Sequence, residues 1–160
     1  MLVVKINYKR KILISGALNE KLRTMLTRPT PSILLAEDNP VNQKIALIVL
    51  KKLGYQADIA SNGQEVLLAL EGRAYDLVLM DVQMPEMDGI EATRIIRKRW
   101  PLGPKIIVVT SFDPALCRKL CFDAGADDFL NKPVKMDELD AAIERNMSYV
   151  SCSSSVCQTV

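Results

Sequence analysis

Four charged side chains directly follow short apolar runs, and their types suggest a specific chemistry. They are Glu37 and Asp38 after residues 33–36, Asp81 after residues 77–80, and Lys132 after residues 129–131. Such runs are typical of central strands of a parallel sheet covered on both faces. Ligands bind such sheets just beyond the carboxyl ends of the strands. Three carboxylates and one ammonium gathered there would repel or mispair, and a divalent metal with a phosphoryl group is the simplest partner that satisfies all four.

The carboxylates and the lysine predict phosphoryl chemistry at this edge. Oxygen ligands from two or three carboxylates and a backbone carbonyl suit octahedral Mg²⁺. One oxygen of Asp81 could then coordinate while the other attacks phosphorus to form an acyl phosphate. Lys132 and the hydroxyl of Thr110 would hold phosphoryl oxygens. Taken singly, these residues are a helix cap, a turn former, a surface lysine and a buried β-former, but together they form a phosphate cradle.

The elements that would position these residues alternate between strand and helix five times from Ser32 onward. Prolines, glycines and capping residues such as Asn62 mark the predicted ends of these elements. Asp38 or Asn39 is predicted to cap the first helix, which begins at Pro40. Strands are predicted at 32–36, 56–60, 77–80, 105–109 and 128–130, and helices at 40–53, 63–71, 90–99, 115–124 and 136–146. Five such units predict an α/β fold, a doubly wound five-stranded parallel sheet with helices on both faces.

Composition limits the classes of protein that the chain can belong to. Its 160 residues are 49% hydrophobic and 25% charged, which suits one globular domain of residues 32–147. Residues 1–31 hold seven Lys or Arg against one acid, so they are interpreted as a basic N-terminal extension or linker, and the Ser-rich residues 148–160 are expected to be disordered. No apolar run approaches the roughly 18 residues that span a bilayer, and no secretory signal is visible, so a cytoplasmic protein is expected.

Two residue types exclude whole kinds of site. The chain contains no His, which rules out a His nucleophile, base or phosphate carrier within it. Its four Cys show no metal-ligand spacing, so free thiols are expected rather than zinc. Neither a dinucleotide-binding nor a phosphate-binding glycine loop is present, which argues against nucleotide binding.

Residues 32–147 resemble a response-regulator receiver domain. The resemblance is carried by Glu37-Asp38, Met80-Asp81, Met84-Pro85, Asp88-Gly89, Val109-Thr110 and Asn131-Lys132-Pro133 in this order. It implies a flavodoxin-like strand order 2-1-3-4-5, Asp81 as phosphoacceptor, Lys132 paired with the phosphoryl group, and a cis Lys132–Pro133 bond. Glu37 and Asp38 would form the acidic metal pocket, with Asp38, Asp81 and the backbone carbonyl of Gln83 binding Mg²⁺, for which Mn²⁺ can substitute. The run 37–43 is similar to receivers of hybrid histidine kinases.

The resemblance also implies a switch and a set of partners. Phosphorylated Asp81 would draw Thr110 inward and open space for Phe129, while Gln83, Ser111 and Phe112 would tune the lifetime of the phosphoryl group. The donor would be a sensor histidine kinase or a His-containing phosphotransfer protein. A homodimer could form through the face from the fourth to the fifth helix, and neither nucleic acid nor membrane is expected as a partner. Such a domain catalyses only its own phosphorylation and dephosphorylation.

Two other functions stay open from the residues alone. A phosphatase with an Asp nucleophile could use a similar sheet, although that chemistry usually wants a second acid where Gln83 stands. A pseudo-receiver would bind partners without accepting phosphate, and the full set of polar site residues argues against it.

Overall fold

Strand and helix alternate along the chain as the pattern of apolar runs and capping residues predicts. The computed structural model describes residues 30–147. The elements are β1 (Ile33–Ala36), α1 (Pro40–Leu53), β2 (Ala57–Ala60), α2 (Gly63–Gly72), β3 (Leu77–Met80), α3 (Gly89–Arg99), β4 (Lys105–Thr110), α4 (Pro114–Ala124), β5 (Asp128–Asn131) and α5 (Met136–Met147). Most boundaries fall within a residue of the predicted ones, because Gly, Pro and Asn mark the ends of the elements.

The five strands form one parallel sheet in the order β2-β1-β3-β4-β5. This confirms the predicted fold class and strand order. In the register of the central pair, Ala36 lies opposite Met80, so the residues that follow β1 and β3 emerge side by side. The register therefore places Glu37 and Asp81 at the same edge of the sheet.

Apolar side chains alternate between the two faces of the sheet and form a core on each. One core joins Leu34, Val78 and Ile106 of the strands with side chains of α2, α3 and α4. The other joins Ile33, Leu77 and Ile107 with side chains of α1 and α5. Both faces are therefore covered, which explains why β1 and β3 consist entirely of buried residues.

One strand differs from the expectation for buried runs. The apolar run at residues 129–131 favours a central strand, but among the described strands β5 lies at the edge of the sheet, where it pairs with β4. Phe129 is buried, Leu130 is half-buried and Asn131 is exposed. A run of three residues is too short to distinguish a strand covered on both sides from an edge strand covered on one, whereas the strand order implied by the resemblance places β5 at the edge.

The expected free thiols are observed within the described part of the chain. Cys117 and Cys121 of α4 are buried and unpaired, with 3.5 Å between their sulfur atoms. Burial, together with the hydrogen bond shared with Cys117, raises the pKa of Cys121 to about 12. Both side chains therefore act as small apolar groups in the core.

The predicted extension at residues 1–31 lies, except for its last two residues, outside the described part of the chain, and so does the predicted tail at 148–160. Between residues 30 and 147, no helix is long and apolar enough to cross a membrane.

Candidate phosphoacceptor and metal site

The site is built where β1 and β3 end, at the carboxyl edge of the sheet. The backbone NH of Asp81 donates to the carbonyl of Ala36 at 2.9 Å, and the NH of Glu37 donates to the carbonyl of Ala60 at 3.0 Å. The parallel ladder thus continues one residue past each strand. These bonds fix the backbone of both acids, so their side chains begin from defined positions.

Three carboxylates meet at this edge. Glu37, Asp38 and Asp81 each offer an oxygen atom within 4.8 Å of the other two. Glu37 is 4% exposed and Asp81 is 7% exposed, whereas Asp38 is open to solvent. The cluster is therefore anchored on two buried acids and accessible through the third.

Lys132, which follows the edge strand β5, contacts the two buried acids. Its ammonium nitrogen lies 2.5 Å from Oε2 of Glu37 and 2.5 Å from Oδ2 of Asp81. Two contacts of this length are charge-assisted hydrogen bonds as well as ion pairs. The structure thus brings together all four charged residues that the sequence singled out.

The contacts set the protonation of the site. Burial raises the pKa of Glu37, but hydrogen bonds from Lys132 and Asn42 outweigh it and hold the pKa below its ordinary value. Burial also raises the pKa of Asp81, and there the opposing bonds from Lys132 and Gln83 do not cancel it. For Lys132, burial lowers the pKa, and the bonds to Asp81 and Glu37 raise it above its ordinary value. The pKa shifts of Glu37 and Lys132 favour the charged forms of these two groups, whereas the shift of Asp81 favours its protonated form.

The donor atoms fit a hard divalent cation. One ammonium cannot neutralise three carboxylates, so the cluster carries an excess of negative charge that a cation would balance. All the donors are carboxylate oxygens, the ligand type that Mg²⁺ prefers, and the exposed Asp38 leaves a route for entry.

The loop after β3 is held tightly against Asp81. The NH of Gln83 donates to Oδ1 of Asp81 at 3.3 Å, and the NH of Gly89 donates to the carbonyl of Val82 at 3.0 Å. A Cβ atom at position 89 would lie 2.0 Å from the carbonyl oxygen of Asp81, a contact that no side chain can make. Gly89 is therefore required for α3 to begin so close to Asp81.

The remaining predicted residues lie around the charged cluster in two environments. Thr110 is fully buried at the end of β4, where its hydroxyl accepts from the NH of Phe112 at 3.3 Å. Phe129 is buried in the core shared with α4. The side chains of Gln83, Ser111 and Phe112 are exposed.

A backbone hydrogen bond holds Lys132 directly after β5. The NH of Lys132 donates to the carbonyl of Thr110 at 2.8 Å. The peptide bond between Lys132 and Pro133 is cis, as the resemblance implied. The ammonium group of Lys132 reaches the acids that follow β1 and β3.

A largely apolar cavity of about 450 Å³ opens beside the charged cluster, between α1 and α5. Its walls include Ile45 and Val49 of α1 and Leu139 of α5, and its polar end is formed by Glu37 and Asp81. On the outer surface of α1, Ile45 and the next residue along that face, Ile48, are each 56% exposed.

Comparison with known proteins identifies the domain. The family model for the response regulator receiver domain matches residues 33–144. The chain belongs to this family. Among curated proteins, the chain is similar to hybrid signal transduction histidine kinase K of Dictyostelium discoideum, with 40% identity over 120 residues. That match covers 70% of this chain and 10% of the relative, so the chain spans a small part of the length of such kinases.

Solved receivers share the fold. The signal receiver domain of a signal transduction histidine kinase from Syntrophus aciditrophicus is 30% identical, with a TM-score of 0.71 over 82% of this chain and all of that one. The receiver domain of a sensor histidine kinase from Pseudomonas aeruginosa PAO1 is 37% identical, with a TM-score of 0.66 over 73% of this chain and 97% of that one. The latter structure holds a magnesium ion coordinated in its active-site cleft.

Sequence reasoning missed the residues that orient this receiver's acids. Asn42 donates to Oε1 of Glu37 at 2.9 Å, and Gln43 donates to the carbonyl of Glu37 at 2.7 Å. Both belong to the run 37–43 that carried the resemblance, but no role followed from it. Their place in the first turn of a helix that starts directly after the two acids was the signal that could have identified them.

Proposed function

We propose that this receiver takes a phosphoryl group from a partner's phosphohistidine onto Asp81 in a two-component phosphorelay. The observation that supports this most is the position of Lys132, shared between buried Asp81 and buried Glu37 with the exposed Asp38 beside them. A structural ion pair needs one acid for one lysine. The excess of acids at an open edge of the sheet supports a site that receives a cation and a phosphate.

The chemistry at Asp81 needs positioning more than covalent help. A carboxylate oxygen of Asp81 attacks phosphorus, the phosphorus–nitrogen bond to the donor imidazole breaks, and the leaving imidazole nitrogen takes up a proton. Lys132 supplies a positive charge for the phosphoryl oxygens, and the NH of Gln83 and the backbone at Gly89 keep Asp81 in place. Hydrolysis of the resulting acyl phosphate returns Asp81 to its carboxylate.

Mg²⁺ is the proposed metal, held by Asp38, Asp81 and the carbonyl of Gln83, with Glu37 completing the acidic pocket. When bound, it would neutralise charge on the carboxylates and on the phosphoryl oxygens. Mn²⁺ prefers the same oxygen ligands, so we expect it to substitute. The family relationship and the donor set support this assignment.

These 160 residues contain no histidine, so the phosphorylated histidine is proposed to come from outside them. We propose a sensor histidine kinase or a His-containing phosphotransfer protein that lies against the outer face of α1. Ile45 and Ile48 expose apolar surface there, and Ile45 also lines the cavity that reaches Asp81. An apolar partner helix docked on this face would carry its histidine toward the phosphoacceptor. The cytoplasmic location expected from the sequence stays a prediction.

Output is proposed to use Thr110 and Phe129. Thr110 is on β4 and Phe129 on the adjacent β5, where Val108 pairs with Phe129. A phosphoryl group on Asp81 would offer the hydroxyl of Thr110 a charged acceptor. Its movement would then alter the packing of Phe129 and the surface from α4 to α5, where a second copy or a downstream protein could bind.

Phosphotransfer tests the proposal. Incubated with a phosphorylated histidine kinase and Mg²⁺, the receiver should acquire a label that resists acid and is lost in base. The label should be absent in Asp81→Asn and unchanged in Asp123→Asn, a matched change at an exposed acid on α4. Label retained by Asp81→Asn would reject Asp81 as the acceptor. Turnover of a phosphate monoester would favour the phosphatase, and a native protein that takes no label from any phosphodonor would favour the pseudo-receiver.

A further inference from the structure

Glu37 is oriented by donors from α1 as well as by the lysine. Its Oε1 accepts from the side-chain amide of Asn42 at 2.9 Å and from the NH of Asn39 at 3.3 Å. Its Oε2 accepts from Lys132 at 2.5 Å. Two donors occupy the lone pairs of Oε1, so the carboxylate has one orientation in which both of its oxygens are satisfied.

The backbone beneath this carboxylate is held in the same way. The side chain of Gln43 donates to the carbonyl of Glu37 at 2.7 Å, and the NH of Glu37 donates to Ala60 on β2. These two hydrogen bonds hold the main chain of Glu37 in place. Its only freedom is rotation of the side chain, and the amide of Asn42 opposes that rotation.

Asn42 is not needed to start the helix. The N-cap of α1 is Asn39, whose side chain accepts from the NH of Val41 at 2.8 Å and from the NH of Asn42 at 3.3 Å. The side-chain amide of Asn42 points instead to the site, where it reaches an acid that is 4% exposed. A half-buried amide that serves a buried acid at the phosphoacceptor has a role in the site rather than in the helix.

We infer that Asn42 is a positioning residue of the metal site, because it turns Glu37 so that its second oxygen holds Lys132 beside Asp81. The inference rests on the proposed binding of Mg²⁺. With the amide removed, Glu37 loses its defined orientation and Lys132 loses one of its two anchors. The carboxylates that bind the cation are then held less firmly in position, so the cation binds more weakly.

Substitution of Asn42 tests the inference by titration with Mg²⁺ alone, read from the amide resonances of residues 37–38 and 81–83. Asn42→Ala and the near-isosteric Asn42→Leu remove the donor, and each should raise the Kd for Mg²⁺ roughly tenfold. Asn42→Gln keeps an amide and should recover part of the loss. Lys51→Ala, an exposed position in the last turn of the same helix, should leave the Kd unchanged.

A second readout separates positioning from a loss of stability. The Mg²⁺ concentration for half-maximal phosphorylation by a small acyl phosphate should rise in Asn42→Ala and Asn42→Leu, while thermal unfolding without metal stays cooperative. The role of Asn42 is overturned if a natively folded Ala or Leu variant has a Kd for Mg²⁺ within about twofold of the wild-type value. Such a change is well below the roughly tenfold expected of a lost supporting contact. The proposed function would still stand in that case. A wild-type receiver that binds no Mg²⁺ overturns both.

Discussion

At the residue scale, the site depends on one lysine ammonium group that is shared by two buried acids. Lys132 contacts Glu37 and Asp81 at equal distances of 2.5 Å, so neither acid has it to itself. Such a pairing stabilises the folded domain only in part, because the lysine must lose its hydration to reach both. Its value lies in holding a positive charge where a phosphoryl group on Asp81 would need it.

Asp128 is another acid with a structural role, because it fixes the start of β5, the strand that precedes Lys132. Its Oδ2 accepts from Arg145 at 2.6 Å and from Asn146 at 2.8 Å, both on α5. Burial raises the pKa of Asp128, but the bonds from Arg145 and from the NH of Phe129 outweigh it and hold the pKa below its ordinary value of 3.8. The bonds tie the start of β5 to α5.

We predict that Asp128→Asn lowers the free energy of unfolding by about 1–2 kcal/mol at neutral pH, since Arg145 is half exposed and its ion pair is screened. A carboxyl whose pKa is depressed by folding contributes stability that is present above the unfolded-state pKa and is lost as the pH falls through the folded-state pKa. Urea unfolding of both proteins over a pH series should therefore show a difference that shrinks below pH 3.8. A difference that stays constant or grows in acid would contradict this account of Asp128.

At the element scale, α1 contributes both to the site and to the surface proposed for docking. Its first turn supplies the amides of Asn42 and Gln43 to Glu37, and its outer face exposes Ile45 and Ile48. A single helix thus relates the orientation of the acids to the surface that we propose for docking. A change on the outer face should affect the partner without affecting the chemistry.

We predict that Ile48→Glu, at a position that does not line the cavity beside Asp81, slows transfer from a phosphohistidine partner about tenfold or more, which corresponds to roughly 1.4 kcal/mol, because a charge would have to be buried against apolar partner surface. Phosphorylation by a small acyl phosphate should be much less affected. The matched control is Leu68→Glu, at a residue that is 66% exposed on α2 and lies on the opposite face of the sheet. Equal slowing with both donors, or with both variants, would move the docking surface away from α1.

The elements were predictable from sequence because their ends carry strong local signals. Asn39 with Pro40, Asn62 with Gly63, and the left-handed Gly54 each fix a boundary by their own backbone preferences. The edge position of β5 and the contact of Gly89 with Asp81 were not predictable in this way. Both depend on which elements become neighbours in the folded chain, and short apolar runs and single glycines do not encode that.

At the scale of the molecule, the described residues 30–147 form two cores that lie on opposite faces of the sheet. α1 and α5 pack on one face, and α2, α3 and α4 pack on the other. The charged cluster lies at the carboxyl edge of the strands that both cores share. The sequence located this cluster because residue type and strand end coincide, but it could not show that the amides of α1 orient Glu37.

The measurement that tests the central claim most directly is identification of the residue that carries the phosphoryl group. The receiver would be phosphorylated with Mg²⁺, reduced with borohydride so that an aspartyl phosphate becomes homoserine, and digested for mass spectrometry. The account predicts homoserine at position 81 and nowhere else, with none formed when Mg²⁺ is chelated before the reaction. Homoserine at position 38, or a phosphorylated protein in which Asp81 is recovered intact, would contradict it.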